Sequence, residues 1–163
     1  MMLTPRYTYP IANLYSLERS KNMGDGATLD FLKEMLGYTD AQWETWKSNP
    51  RNLKIVENLT EIPKYKVVFE VTSSVGCAAG HKVGDQIVFD GGGHLLCKES
   101  PEKICFGLLS PISPMAGIVL DKICLGEDPT QMAFNSVHCV DVGVDHGGWG
   151  EVVVQAKVEK TQE

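Results

Sequence analysis

Cys77 and His81 stand four residues apart in GCAAGHKVGD, residues 76–85, and Asp85 follows four residues later. A thiol and an imidazole on one glycine-bounded turn support two kinds of chemistry. Both side chains could point inward at one metal ion, because Gly76 and Gly80 let the backbone fold tightly. Alternatively, the imidazole could serve as the base for a cysteine nucleophile, with Asp85 or Asp141 orienting the ring. A plainer reading stays open beside them. Asp85 could accept backbone N–H bonds ahead of a strand, and His81 could donate to a carbonyl of its own turn.

A closed zinc site needs four ligands, so a Cys-x-x-x-His turn supplies half of one. Cys105, Cys139 and His138 are the candidates for the rest. Cys105 falls near the start of a helix expected to open at Ser100, where the dipole favours a thiolate. Cys139 falls in an expected strand beside His138, with Asp141 two residues on and on the same face. Cys77, His81, Cys105 and Cys139 would form a complete set for zinc or iron. The nucleophile reading draws on Cys77, His81, Cys105 and Asp141, so the two readings share most of their residues. A further locus is GVDHGGWG, residues 143–150, where His146 and Trp149 could contact a cofactor or simply decorate a hairpin tip.

Three pieces of the chain, spread over residues 65–158, also resemble a family of small bacterial and archaeal proteins with no established activity. These are Cys77-Ala78-Ala79-Gly80-His81-Lys82-Val83-Gly84-Asp85, then Ile104-Cys105-Phe106-Gly107, then His138-Cys139-Val140-Asp141. The family shows a Cys-x-x-Gly-His-x-x-Gly-Asp-like turn, a Cys opening an apolar helix, and a Cys-x-Asp-like strand. This chain departs from it in two places. Phe106 stands where Pro is frequent, and His138 stands where a second Cys is frequent. The resemblance implies that Cys77, His81, Cys105 and Cys139 meet in space, and it implies no activity.

The elements that must position these residues divide the chain in two. Residues 1–63 read as a helical segment. Thr28 is expected to cap a helix that stops at Gly37, and Thr39 with Gln42 forms a capping-box pattern. Trp43 and Trp46 then share a helix face, Asn49-Pro50 ends that helix, and residues 51–59 suggest a third. Residues 64–163 read as an α+β domain carrying the Cys/His cluster. YKVVFEVTS, QIVFD and HLLCK suggest three strands, with a sharp glycine turn at 91–93. That glycine run could cradle a phosphate, but no Lys-Ser or Lys-Thr follows it. Ser100-Pro101-Glu102 suggests a helix start, Pro111 a break, Ser113-Pro114 a restart and Gly126 an end. SVHCVDV and EVVVQAKVE suggest two last strands. The expected fold is α+β: N-terminal helices, then a small, mostly antiparallel or barrel-like sheet with an inserted broken helix.

Composition sets the outer limits. In 163 residues, 43% hydrophobic content can build a core without disulfides or a metal. The net charge of −6 and the scattered Lys and Arg argue against nucleic acid and against an anionic membrane surface. Five cysteines cannot all pair, and the first residues lack the pattern of a secretory signal, so a reducing cytoplasm is expected. Residues 104–120 are apolar but carry two prolines and fall short of a membrane span. Tyr7, Tyr9, Trp43 and Trp46 could offer a surface to a protein partner or to a second copy of the chain. The leading expectation is an accessory or small-subunit protein whose Cys/His cluster binds zinc or iron. The alternatives are a small isomerase, lyase or hydrolase using a Cys-His pair, and a metal-free module binding a small molecule.

Overall fold

The structure is a computed structural model and describes residues 25–161. Tyr7 and Tyr9 lie outside the described residues. The chain forms two compact units, the first ending at Thr60 and the second starting at Glu61.

Among its described residues the first unit carries three helices. Helix α1 spans Asp25–Leu36. It starts three residues before Thr28, which therefore lies inside the helix and is not its cap. It stops at Gly37, whose φ of 67° lets Tyr38 N–H reach back to the Lys33 carbonyl at 3.3 Å. Helix α2 spans Asp40–Lys47 and begins with the expected capping box. Thr39 N–H donates to Gln42 Oε1 at 2.9 Å, and Gln42 N–H donates to Thr39 Oγ1 at 3.3 Å. Trp43 and Trp46 stack with ring centroids 4.8 Å apart, and Trp43 is buried. Helix α3, Pro50–Asn58, is capped by Asn49 with proline in its first turn. A 3-10 stretch, Leu59–Lys64, carries the chain out of it.

The second unit is an open, antiparallel four-stranded sheet with one helix. Strand β1 spans Tyr65–Val75, β2 spans Gln86–Asp90, β3 spans Ser136–His138 and β4 spans Glu151–Lys160. Their spatial order is β2-β1-β4-β3, so β1 and β4, the two long strands, lie at the centre. Cross-strand register puts Phe69 opposite Ile87 and Ala156, and Val71 opposite Val154. All five are buried and form one apolar face. A bulge between Val71 and Ser73 shifts the alternation, so that Ser74 lies opposite buried Val152 and Val75 turns outward.

Helix α4, Phe106–Cys124, packs against β1 and β3. Leu108, Ile112, Met115, Val119 and Ile123 are buried at spacings of three and four, the signature of one apolar stripe. Among the described helices it is the one long and apolar enough to cross a membrane by length and composition.

The helix differs from expectation at both its start and its middle. Ser100 starts no helix. Its hydroxyl instead accepts Val88 N–H at 3.0 Å, along the edge of β2. HLLCK forms a single bridge, Leu95 to Phe89, and not a strand, because Glu99 N–H turns back to the Leu96 carbonyl. Pro111 and Pro114 lie inside one unbroken helix. Each proline removes a single i to i−4 bond, and the rest of the ladder and the buried stripe hold the helix together. The carbonyl that Pro111 leaves without its helical donor belongs to Gly107, and it accepts Val140 N–H at 2.9 Å.

Two glycines of this unit should respond oppositely to alanine. A Cβ on Gly91 would lie 2.0 Å from the Ile62 carbonyl oxygen, whereas one on Gly117, within α4, meets nothing within 4 Å. Gly91→Ala should destabilise by roughly 2 kcal/mol or more, because backbone must move. Gly117→Ala should stabilise by about 0.5–1 kcal/mol. Urea-unfolding midpoints of the two variants check both signs.

Candidate functional site

Three cysteines distant in sequence reach one cavity. Cys77 follows the end of β1 and opens a tight turn in which Gly80 N–H donates to its carbonyl at 3.1 Å. The residue before it, Gly76, has φ of 60° and lies directly against Gly150: a Cβ on Gly150 would stand 2.3 Å from the Gly76 oxygen. Neither position accepts a side chain, so the ends of β1 and β4 meet backbone to backbone.

Cys139 lies one residue beyond β3 and continues its pairing with β4. Its N–H donates to the Val152 carbonyl at 2.8 Å, and its sulfur receives Val152 N–H at 3.3 Å. The thiol in turn donates to the Asp141 carbonyl at 3.4 Å. Cys105 is the N-cap residue of α4, and its side chain makes no capping hydrogen bond. The helix therefore starts at Cys105, so this thiol sits at the helix end itself. The Val140 to Gly107 bond fastens the Cys139 segment to the first turn of α4.

The cavity between these segments has a volume of about 270 Å³, and its lining includes Cys77, Cys105, Cys139, Asp141, Trp149 and Glu151, with alanine, valine and glycine between them. Cys77 and Cys105 are half-buried and Cys139 is buried. Trp149 is 88% exposed, so its indole stands at the solvent side of the wall. Phe106 and Val140, on the two segments joined at Gly107, are also exposed.

Asp141 has a different task from orienting a histidine. Its Oδ1 accepts Trp149 N–H at 3.0 Å and Gly143 N–H at 3.2 Å, and its Oδ2 accepts Gly150 N–H at 3.1 Å. These amides, Gly150 and Trp149 foremost, hold its carboxyl below the ordinary carboxylate range. The carboxylate gathers the 142–150 loop and sets Trp149 against the cavity. Gly148 fits only as glycine, since a Cβ there would fall 2.0 Å from Asp141 Oδ1.

His81 is buried but does not line the cavity. Its Nδ1 is 3.9 Å from Asp85 Oδ2, and its Nε2 has no hydrogen-bond partner among the described residues. Its carbonyl accepts the Ser74 hydroxyl at 2.6 Å. Asp85 accepts Lys82 N–H at 3.0 Å, which closes the turn. His138 turns its Nδ1 to the Cys139 carbonyl at 2.5 Å. His146 is exposed, on a 3-10 turn at Val144–His146. Cys97 is exposed, and Cys124 is buried in the core, where burial above all, then Asp121, raises its thiol pKa.

The structure thus brings Cys77, Cys105, Cys139, Asp141 and Trp149 to one cavity and leaves His81 and His146 off its lining. Among the described residues no three His, Cys, Asp or Glu side chains are arranged to hold a metal ion. Two features had no sequence-level reading. One is Val140 as a wall residue. The other is the Gly107 carbonyl, whose signal was available: a proline four residues after a helix-start glycine marks a carbonyl without its helical donor. No family model, curated protein or solved structure matches the chain.

The Asp141 clamp makes a pH prediction. A carboxyl held below its unfolded value contributes stability that is complete above the unfolded pKa and is lost as pH falls through the folded one. The stability difference between wild type and Asp141→Asn should therefore be constant above about pH 5 and shrink below about pH 4. Denaturant unfolding of both proteins from pH 7 to pH 3 measures it. A difference that grows on acidification would contradict the assignment.

Proposed function

We propose that this chain binds a small, largely apolar molecule in the three-cysteine cavity and recognises it through sulfur. The observation that carries this reading is the arrival of Cys77, Cys105 and Cys139, from three remote segments, on one wall. The wall holds no Lys, Arg or His, so an anionic ligand finds no countercharge there. The volume falls just below the roughly 300–1,000 Å³ of drug-sized sites, which suits a small molecule. Trp149 supplies an aromatic face at the rim, and soft, polarizable sulfur suits an unsaturated or thiophilic ligand.

A second reading keeps the cysteines and adds an ion. In it the protein is a cytoplasmic accessory or small subunit, and Cys77, Cys105 and Cys139 bind zinc or iron after a local rearrangement. The N–H of Val152 on the Cys139 sulfur favours it, since amides commonly support metal-bound thiolates. His81 would join such a site only by moving its turn.

Phenylarsine oxide, an apolar ring on a centre that binds paired thiols, is a probe for the first reading. It should bind one per chain and change tryptophan fluorescence. Cys77→Ser and Cys105→Ser should each weaken it at least tenfold, roughly 1.4 kcal/mol, while Cys97→Ser leaves it unchanged. Equal binding by all three variants would remove the reading. Metal analysis of protein purified without oxygen tests the second: one zinc or iron per chain, lost in Cys139→Ser, would put the ion in place of the molecule.

A further inference from the structure

We infer that Cys77 and Cys105 are a redox pair, which a hydroperoxide converts to an intramolecular disulfide across the cavity. This does not depend on what the cavity binds. It depends on two half-buried thiols lining one space, with the third, buried, engaged by its own hydrogen bonds.

The three sulfurs are not equivalent. Cys139 is buried, and its sulfur is engaged on both sides, by Val152 N–H and by the Asp141 carbonyl. Cys105 makes no capping bond, caps a helix of 19 residues and has no acidic residue in the turn that follows it. Its sulfur therefore lies at the positive end of the helix dipole, with no carboxylate in the first turn to oppose that field. Cys77 sits on a turn bounded by Gly76 and Gly80, both with positive φ. It lines the same cavity as Cys105. Cys105 is therefore the attacking thiol and Cys77 the resolving one.

The chemistry balances with a hydroperoxide as the sole oxidant. The Cys105 sulfur attacks the terminal peroxide oxygen and the O–O bond breaks. The alcohol leaves with the thiol's proton, and Cys105 becomes a sulfenic acid. The Cys77 sulfur then attacks the Cys105 sulfur, the S–O bond breaks, and the hydroxyl leaves as water with the Cys77 proton. Two electrons pass from the two sulfurs to the peroxide. The product is one disulfide, one alcohol and one water; hydrogen peroxide gives a second water in place of the alcohol.

The test uses the full chain, reduced, metal-free and treated with equimolar hydrogen peroxide. After blocking with N-ethylmaleimide, peptide mass mapping should show a Cys77–Cys105 crosslink, with Cys97, Cys124 and Cys139 blocked as free thiols. Cys105 should be oxidised at least about tenfold faster than exposed Cys97 in the same molecule. Cys77→Ser should stop at a Cys105 sulfenic acid, trapped by dimedone, and Cys105→Ser should form no disulfide. Circular dichroism of each variant separates misfolding from lost chemistry. A crosslink through Cys139, equal oxidation of Cys105 and Cys97, or an intact disulfide in either variant would overturn the inference.

Discussion

One hydrogen bond holds the second unit's chemistry in place: Val140 N–H to the Gly107 carbonyl. It joins the start of α4 to the segment following β3, and so joins the Cys105 region to the Cys139 region. The bond exists because Pro111 has no N–H to give that carbonyl. A residue that weakens the helix by its own propensity thus creates the acceptor that anchors a neighbouring segment. Gly107 completes the arrangement, since a Cβ there would stand 3.0 Å from Val140 Cγ2. Proline and glycine, which read in sequence as interruptions, are at this point the means of attachment.

Around that bond the cavity is built by subtraction as much as by contact. Gly76 and Gly150 bring two strand ends closer than any side chain would allow, and Gly148 leaves room for the Asp141 carboxylate. The polar groups of the loop are spent on one another: Asp141 takes three amides of the chain that follows it. What remains facing the space is sulfur, alanine, valine and indole, with the Glu151 carboxylate beside them. The site thus combines soft, polarizable sulfur with two carboxylates and no cationic side chain.

Much of the architecture was legible because local signals agreed with packing. The stops at Gly37 and Gly126, the Thr39–Gln42 box and the β-branched and aromatic runs of β1, β2 and β4 follow from nearest-neighbour chemistry. The misread elements were those in which a tertiary bond replaced a local one. Ser100 looks like a helix cap but serves β2, and Pro111 looks like a break but serves Val140. In the site, the thiols and Asp141 were identifiable by type and spacing. The role of Asp141 was not, because it depends on where amides nine residues away return. The histidine next to Cys77 in sequence faces Asp85, since four residues of turn rotate it out of the thiols' shared space.

The strand order has a consequence for how the molecule behaves in company. An open sheet ends in two rows of backbone groups that invite a further strand from another chain. Here the long, valine-rich β1 and β4 are both enclosed. On one side Leu95, Leu96 and Ser100 occupy the β2 margin, and on the other the border is only three residues, Ser136–His138. Because β4 runs on to Lys160 while β3 pairs with it only at Val153–Gln155, the lysine-flanked end of β4 is the part of a central strand that a template would meet there.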